Sequence, residues 1–217
     1  MKKRYQYLSI LILIILISSC SSTKNLVGKT DKRNTFSDEE IALIMQGDSL
    51  SPMRVFNINK KSDSILLSTK STAVNLELNH PVLKRIVERM YRTVRDSLSA
   101  GVGIAAPQVG VLKQIIWIQR FDKAGSPFEF YLNPRIIQYS KKKQEYREGC
   151  LSVPNRMDTL NSRSYAILIE YDKMDKTHHV EMVEDFTAVI FQHEIDHLNG
   201  VLYLQYLDKL LSGDALK

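Results

Sequence analysis

After Pro81, apolar residues recur at Val82, Leu83, Ile86, Val87, Met90, Val94 and Leu98, until Ala100-Gly101 breaks the run. Such spacing, with proline in the first turn, predicts an amphipathic helix with one buried stripe. Downstream the pattern changes to short runs rich in Ile, Tyr, Phe and Trp: Gln114 to Ile118, Phe128 to Leu132 and Ala166 to Tyr171. Turn formers at Asp122 to Pro127 and Asp172 to Lys176 separate them, so these read as sheet strands, with His178 to Val183 as the return strand of the last hairpin. A second helix is expected over Asp185 to Leu198, stopped by Asn199-Gly200. Earlier signals are weaker: a short helix over Asp38 to Gln46, an initial strand over Arg54 to Ile58 and an irregular connection over Ser64 to Leu67. Helix, several strands, helix predicts an α+β fold, with mixed or antiparallel sheets, rather than a doubly wound parallel sheet. No internal repeat is present.

The amino terminus follows a different pattern. Met1-Lys-Lys-Arg4 is basic, Leu8 to Ile17 is apolar apart from Ser9, and Ile17-Ser-Ser-Cys20 ends in small residues and a cysteine. The apolar run falls short of the roughly 20 residues a spanning helix needs, and the order is that of an export signal. It resembles the lipobox of bacterial lipoproteins, in which the cysteine becomes the acylated first residue. Residues 1–19 are then a signal peptide, Cys20 the lipid attachment point, 20–37 a flexible tether and 38–217 one catalytic domain; the alternative is an uncleaved short anchor.

Composition narrows the classes. With 44% hydrophobic and 25% charged residues the 217-residue chain has both a core and a soluble surface, and nine Gly and six Pro exclude a collagen-like or low-complexity chain. The net charge of +6 falls to +3 once Lys2, Lys3 and Arg4 leave with the signal. No basic stripe interleaved with aromatics appears, so no nucleic-acid partner is expected and Lys141 to Lys143 reads as a solvated loop. With Cys20 modified, only Cys150 remains, and no intrachain disulfide can form.

The chemistry concentrates in Gln192-His-Glu-Ile-Asp-His197. Four-residue spacing puts His193 and His197 on one helical face, where two imidazoles can chelate one cation with Glu194 beside them as a proton acceptor. Zinc peptidases use the same pattern, so the third ligand decides the class. Gly200 matches the extended peptidase motif, but Tyr203 stands where its third His belongs, and no Glu follows Glu194. Among the upstream candidates His80, His178, His179 and Cys150, adjacent His178 and His179 face opposite ways on a strand and His80 caps the first helix. Cys150 is the best remaining choice, because a thiolate with two imidazoles leaves a fourth position open.

Gly101-Val-Gly-Ile-Ala-Ala-Pro-Gln108, Glu148-Gly-Cys-Leu-Ser152 and Gln192 to His197, in that order, resemble the three motifs of the peptide deformylase family. The similarity runs from about Met53 to Leu207 and includes Asn133-Pro134. It implies a metal-dependent hydrolase that removes the formyl group from formyl-methionyl peptides, built around a central helix carrying the HExxH motif. Cys150, His193 and His197 are the implied ligands of one divalent ion, and Glu194 the general base. The Gln108 amide and the Leu151 N–H are the implied oxyanion donors.

Gly103 and Gly101 are expected along the substrate, where a Cβ would intrude, and Asp196 is expected to accept from an arginine such as Arg163. Glu148 is expected to orient its neighbours. The family often uses Fe(II); outside the cytoplasm a ferrous thiolate site is open to oxidation, which admits Zn(II) or Ni(II). The combined expectation is a monomer acting on formylated peptides in the cell envelope, anchored through Cys20, or in the cytoplasm if an internal Met is the start. The other readings are an envelope amidase or peptidase for other N-acyl peptides, and a lipid-anchored binder of formylated peptides.

Overall fold

The computed structural model describes residues 36–76, 81–96 and 100–212. The expected signal segment, Cys20, the tether up to residue 35, His80 and Leu98 lie outside these residues.

Local signals explain the helices. In α1 (Asp38–Met45), Ser37 caps the first turn: its hydroxyl accepts from the Glu40 N–H while the Glu40 carboxylate accepts from the Ser37 N–H. Phe36, just before this helix, is 3% exposed and joins the core. α3 (Pro81–Arg95) buries Val82, Leu83, Ile86, Val87, Met90 and Val94 as its spacing requires. α4 (Asp185–Leu198) has the expected boundaries and ends at Gly200, whose φ of +72° suits glycine; a Cβ there would meet the Ser68 carbonyl oxygen at 2.5 Å.

Five strands form one antiparallel sheet in the order β1 (Gly103–Ala105), β2 (Ile115–Gln119), β3 (Phe128–Tyr139), β6 (Ala166–Asp172) and β7 (His178–Glu184). β4 (Lys143–Cys150) and β5 (Val153–Ser164) form a separate antiparallel hairpin. Helices pack on both faces of the large sheet. Ile115 and Leu132 pack with the α3 stripe, whereas Ile116, Ile118 and Tyr131, next in the pleat, pack with Ala188, Ile190, Phe191 and Ile195 of α4. A third cluster joins Val153 and Leu160 of the hairpin to Tyr203, with Leu204, Tyr206 and Leu207 of α5 (Leu204–Ser212) packed against it.

Several elements depart from the sequence reading. Arg54 to Ile58 forms no strand and runs into a turn at Ile58; it is held by bonds from Phe56 N–H to Gln108 O and from Ile58 N–H to Ser152 O. The expected irregular connection at Ser64 to Leu67 belongs to a helix, α2 (Lys61–Leu67), whose Asp63 is buried against Arg54 at 2.6 Å. The β4–β5 hairpin and α5 were not anticipated. β3 continues seven residues past Leu132 through a bulge at Asn133 and Pro134, with Asn133 at φ +51°. Among the described residues no helix is long and apolar enough to cross a membrane.

Candidate metal centre and catalytic cleft

Three elements converge on one point. β4 ends at Cys150, where a register shift after Gly149 and a tight turn to Val153 swing the thiol toward α4. α4 presents His193 and His197 one turn apart, ring centroids 5.1 Å from each other. Cys150 Sγ lies 3.2 Å from His197 Nε2, and one ligand atom from each of the three residues falls within 4.8 Å of the others. His178 and His179 are on β7, exposed and engaged with Asp172 and Thr177, away from this point.

The surroundings prepare these atoms. Glu148 Oε2 sits 2.9 Å from His193 Nδ1, which leaves Nε2 for the site, and Arg163 donates to both Glu148 oxygens at 2.7 and 2.8 Å. Arg163 also donates to Asp196 at 2.6 Å, so Asp196 serves as the arginine's acceptor, and Tyr206 of α5 donates to the other Asp196 oxygen at 3.0 Å. Burial disfavours a charged Glu148, yet Arg163 and His193 outweigh it and hold the carboxyl near 2. Burial likewise opposes a Cys150 thiolate, but His197 and His193 overcome it and keep the thiol well below its ordinary range. For His193 burial favours the neutral ring, and Cys150 and Glu148 reverse that.

Glu194 lies on the same helix at 4% exposure, and its Oε2 has no hydrogen-bond partner. Burial, only partly offset by the two histidines, pushes its carboxyl up to about 7. Gly103 explains its own identity here: a Cβ would stand 2.5 Å from Glu194 Oε1 and 2.9 Å from Ile190 Cγ2. The space that glycine keeps open is therefore in part the Glu194 carboxylate's. At Gly101 a Cβ would meet Gly103 O, Leu151 and Val94 at 3.3 Å, a packing constraint at the end of α3.

Gln108 lies in a 3-10 turn (Ala106–Val109) directly after β1 and is 1% exposed. Its Oε1 accepts from the Ala105 N–H at 2.8 Å, which turns Nε2 toward Cys150 Sγ at 3.6 Å and Ser152 Oγ at 3.4 Å. A cleft of about 760 Å³ opens over these groups, lined by Gly103, Leu151, Val189, Ile190 and Glu194 and walled by Tyr146 and Phe186, whose rings stack at 4.4 Å. Ser152, Tyr206 and the Tyr146–Phe186 wall escaped the sequence reading. Ser152 closes a motif already singled out, so only the Tyr206 contact and the ring stack lacked a local signal.

A thiolate and two imidazoles in van der Waals reach, one imidazole oriented by a carboxylate, fit a single divalent transition-metal ion. A buried carboxylate with an unpartnered oxygen and a cleft beside it fit the class of metal-dependent hydrolases. Comparison with known proteins agrees. The polypeptide deformylase family model matches residues 55–212. The peptide deformylase of Borreliella burgdorferi is 39% identical over 134 residues, covering 62% of this chain and 76% of the relative. That of Leptospira biflexa is 35% identical over 162 residues, 71% and 89% of the two chains. Among solved structures, the peptide deformylase of Thermotoga maritima superposes with a TM-score of 0.62 at 30% identity over 71% of this chain and 97% of its own. A class I type b peptide deformylase from Acinetobacter baumannii gives 0.63 at 29% identity, over 71% of this chain and 99% of its own. The chain belongs to the polypeptide deformylase family, with its α+β fold, and is a metal-dependent hydrolase that removes formyl groups from formylated peptides.

Proposed function

We propose that Cys150, His193 and His197, presented by a central HExxH helix, hold the divalent ion and that Glu194 is the general base of the deformylation. A divalent ion held there supplies Lewis acidity to the formyl oxygen and acidifies water for attack. Glu194 Oε2, buried and free, takes the proton of the attacking water and returns one to the departing amine. The Gln108 Nε2–H, aimed by the Ala105 bond to Oε1, and the Leu151 N–H donate to the oxyanion. Glu148 and Arg163 hold the His193 ring in place without touching substrate. Gly101 and Gly103 line the cleft beside the peptide, and Val189, Ile190 and the Tyr146–Phe186 wall offer an apolar, sulfur-compatible surface to a methionyl side chain.

The observation that carries this reading is the idle Glu194 oxygen beside the Cys150, His193 and His197 cluster. Its test is formate release from a formyl-methionyl dipeptide by the full chain, purified without oxygen and loaded separately with Fe(II), Ni(II) and Zn(II). Release with wild type and none with Glu194→Gln supports the assignment. Hydrolysis of acetylated or unblocked peptides in preference to formylated ones replaces it with a different amidase.

The amino-terminal pattern of Met1 to Cys20 supports a second part of the proposal: an exported enzyme, monomeric and held in the bacterial envelope by a lipid on Cys20. Mass spectrometry of the mature amino terminus tests it. An acylated Cys20 sustains the reading, and an unprocessed Met1 or an internal start removes it.

A further inference from the structure

On the sheet face opposite α4, α3 leaves part of the sheet uncovered. A groove of about 580 Å³ opens there, lined by Leu50, Tyr91, Trp117, Phe130 and Met174. It shares no lining residue with the catalytic cleft. Trp117 is the single tryptophan of the chain and forms an aromatic cluster with Tyr91 at 4.9 Å and Phe130 at 5.3 Å; Phe128 lies 6.0 Å from Tyr91. Two large apolar side chains stand out at its rim, Leu50 at 65% and Met174 at 40% exposure.

Cations surround these rings. Lys84, Arg92 and Arg95 are exposed along the outer side of α3. The Arg95 guanidinium lies 5.4 Å from the Phe128 ring and that of Arg92 5.9 Å from Tyr91. Glu88, the one carboxylate among the described residues lining the groove, is 3.9 Å from Lys84.

We propose that this groove is a docking surface for an anionic phospholipid bilayer. Trp and Tyr rings with satisfied polar ends and apolar bodies belong at the level of lipid headgroups, and the Trp117 indole N–H is already bonded to Val87 O at 2.9 Å. Leu50 and Met174 are placed to enter the acyl boundary, while Lys84, Arg92 and Arg95 meet phosphates. A second copy of the chain is a poorer occupant, since a two-fold contact would set the same cations against themselves. Leu50 follows α1, whose carboxyl end is fastened to α3 through Arg89 bonds to Leu43 O and Ile44 O. Docked this way, the enzyme keeps its cleft, on other elements, open to peptide.

Trp117 is the probe. The full chain is incorporated into vesicles of phosphatidylglycerol and phosphatidylcholine with brominated acyl chains, floated to isolate bound protein, and its tryptophan emission read. Loss of most of the emission is expected, with recovery in pure phosphatidylcholine or at high salt, because screening shortens the electrostatic reach to about 3 Å at 1 M. The surface variants Leu50→Asp with Met174→Asp, and Arg92→Glu with Arg95→Glu, should still float through the amino terminus yet keep their emission. Unquenched Trp117 in floated wild type overturns the proposal. So does concentration-dependent burial of Trp117 without lipid, which would assign the groove to a second copy.

Discussion

α3 and α4 pack on opposite faces of one sheet and bury charged side chains to different ends. On α3, Arg89 is 6% exposed and its guanidinium donates to four carbonyls, those of Leu43, Ile44, Ser51 and Pro52. Each of these bonds fastens α1 and the following loop to the helix. On α4, Gln192 is similarly spent on Ser164 and Ala188, and Asp196 on Arg163 and Tyr206. Glu194, buried as deeply, keeps an oxygen with no partner. A buried charge whose neighbours use all of it is a fastener. One left with idle capacity at the floor of a cleft costs stability, and that cost is recovered only in chemistry.

The largest effect expected from breaking this contrast is at Glu194. Glu194→Gln keeps the shape and removes the base, so formate release should fall by about 10²- to 10⁴-fold, while metal content measured by atomic emission stays near one per chain. Loss of metal instead would make Glu194 a ligand. On the other face, Arg89→Leu should leave the turnover of folded protein intact and lower unfolding free energy by about 3 kcal/mol in urea titration, since several buried carbonyls lose their donor.

Glu148→Gln tests the carboxylate behind the metal site. It should weaken metal binding by about 10- to 100-fold in chelator competition. Its pH signature has a definite sign. The Glu148 pKa lies below its ordinary 4.5, near 2 in the fold, so its stabilisation is present above about 4.5 and disappears as pH falls toward 2. The acid limb of an unfolding curve should therefore be shallower across that window in the variant. The smallest effect belongs to Tyr206→Phe, which frees one Asp196 oxygen from its donor: about 1 kcal/mol of stability, with formate release unchanged. A large loss of metal affinity in that variant would show that α5 helps to set the site.

What was legible in the sequence follows from locality. The stripe of α3, both ends of α4 and the spacing of His193 and His197 depend on residues within a turn or two, and the structure has them where the pattern predicts. The β4–β5 hairpin was not visible because its exposed residues include Lys143, Glu145 and Arg147 on one strand and Asn155, Arg156 and Thr159 on the other, so no apolar run marks it. Its two strands are specified by pairing with each other and by Val153 and Leu160 against Tyr203, contacts distant in sequence.

The site divides in the same way. Its residues fall in three short motifs visible in the chain, and the structure brings Cys150, His193 and His197 together. Sequence did not show that Gly103 makes room for Glu194, that Gln108 is aimed by the Ala105 N–H, or that Tyr206 completes the Asp196, Arg163, Glu148 and His193 chain. Sequence by itself determined the kind of chemistry, because ligand and base identities are properties of side chains. Only the tertiary structure decided which buried polar atoms are satisfied and which remain free to react, because that depends on distances between segments far apart in the chain.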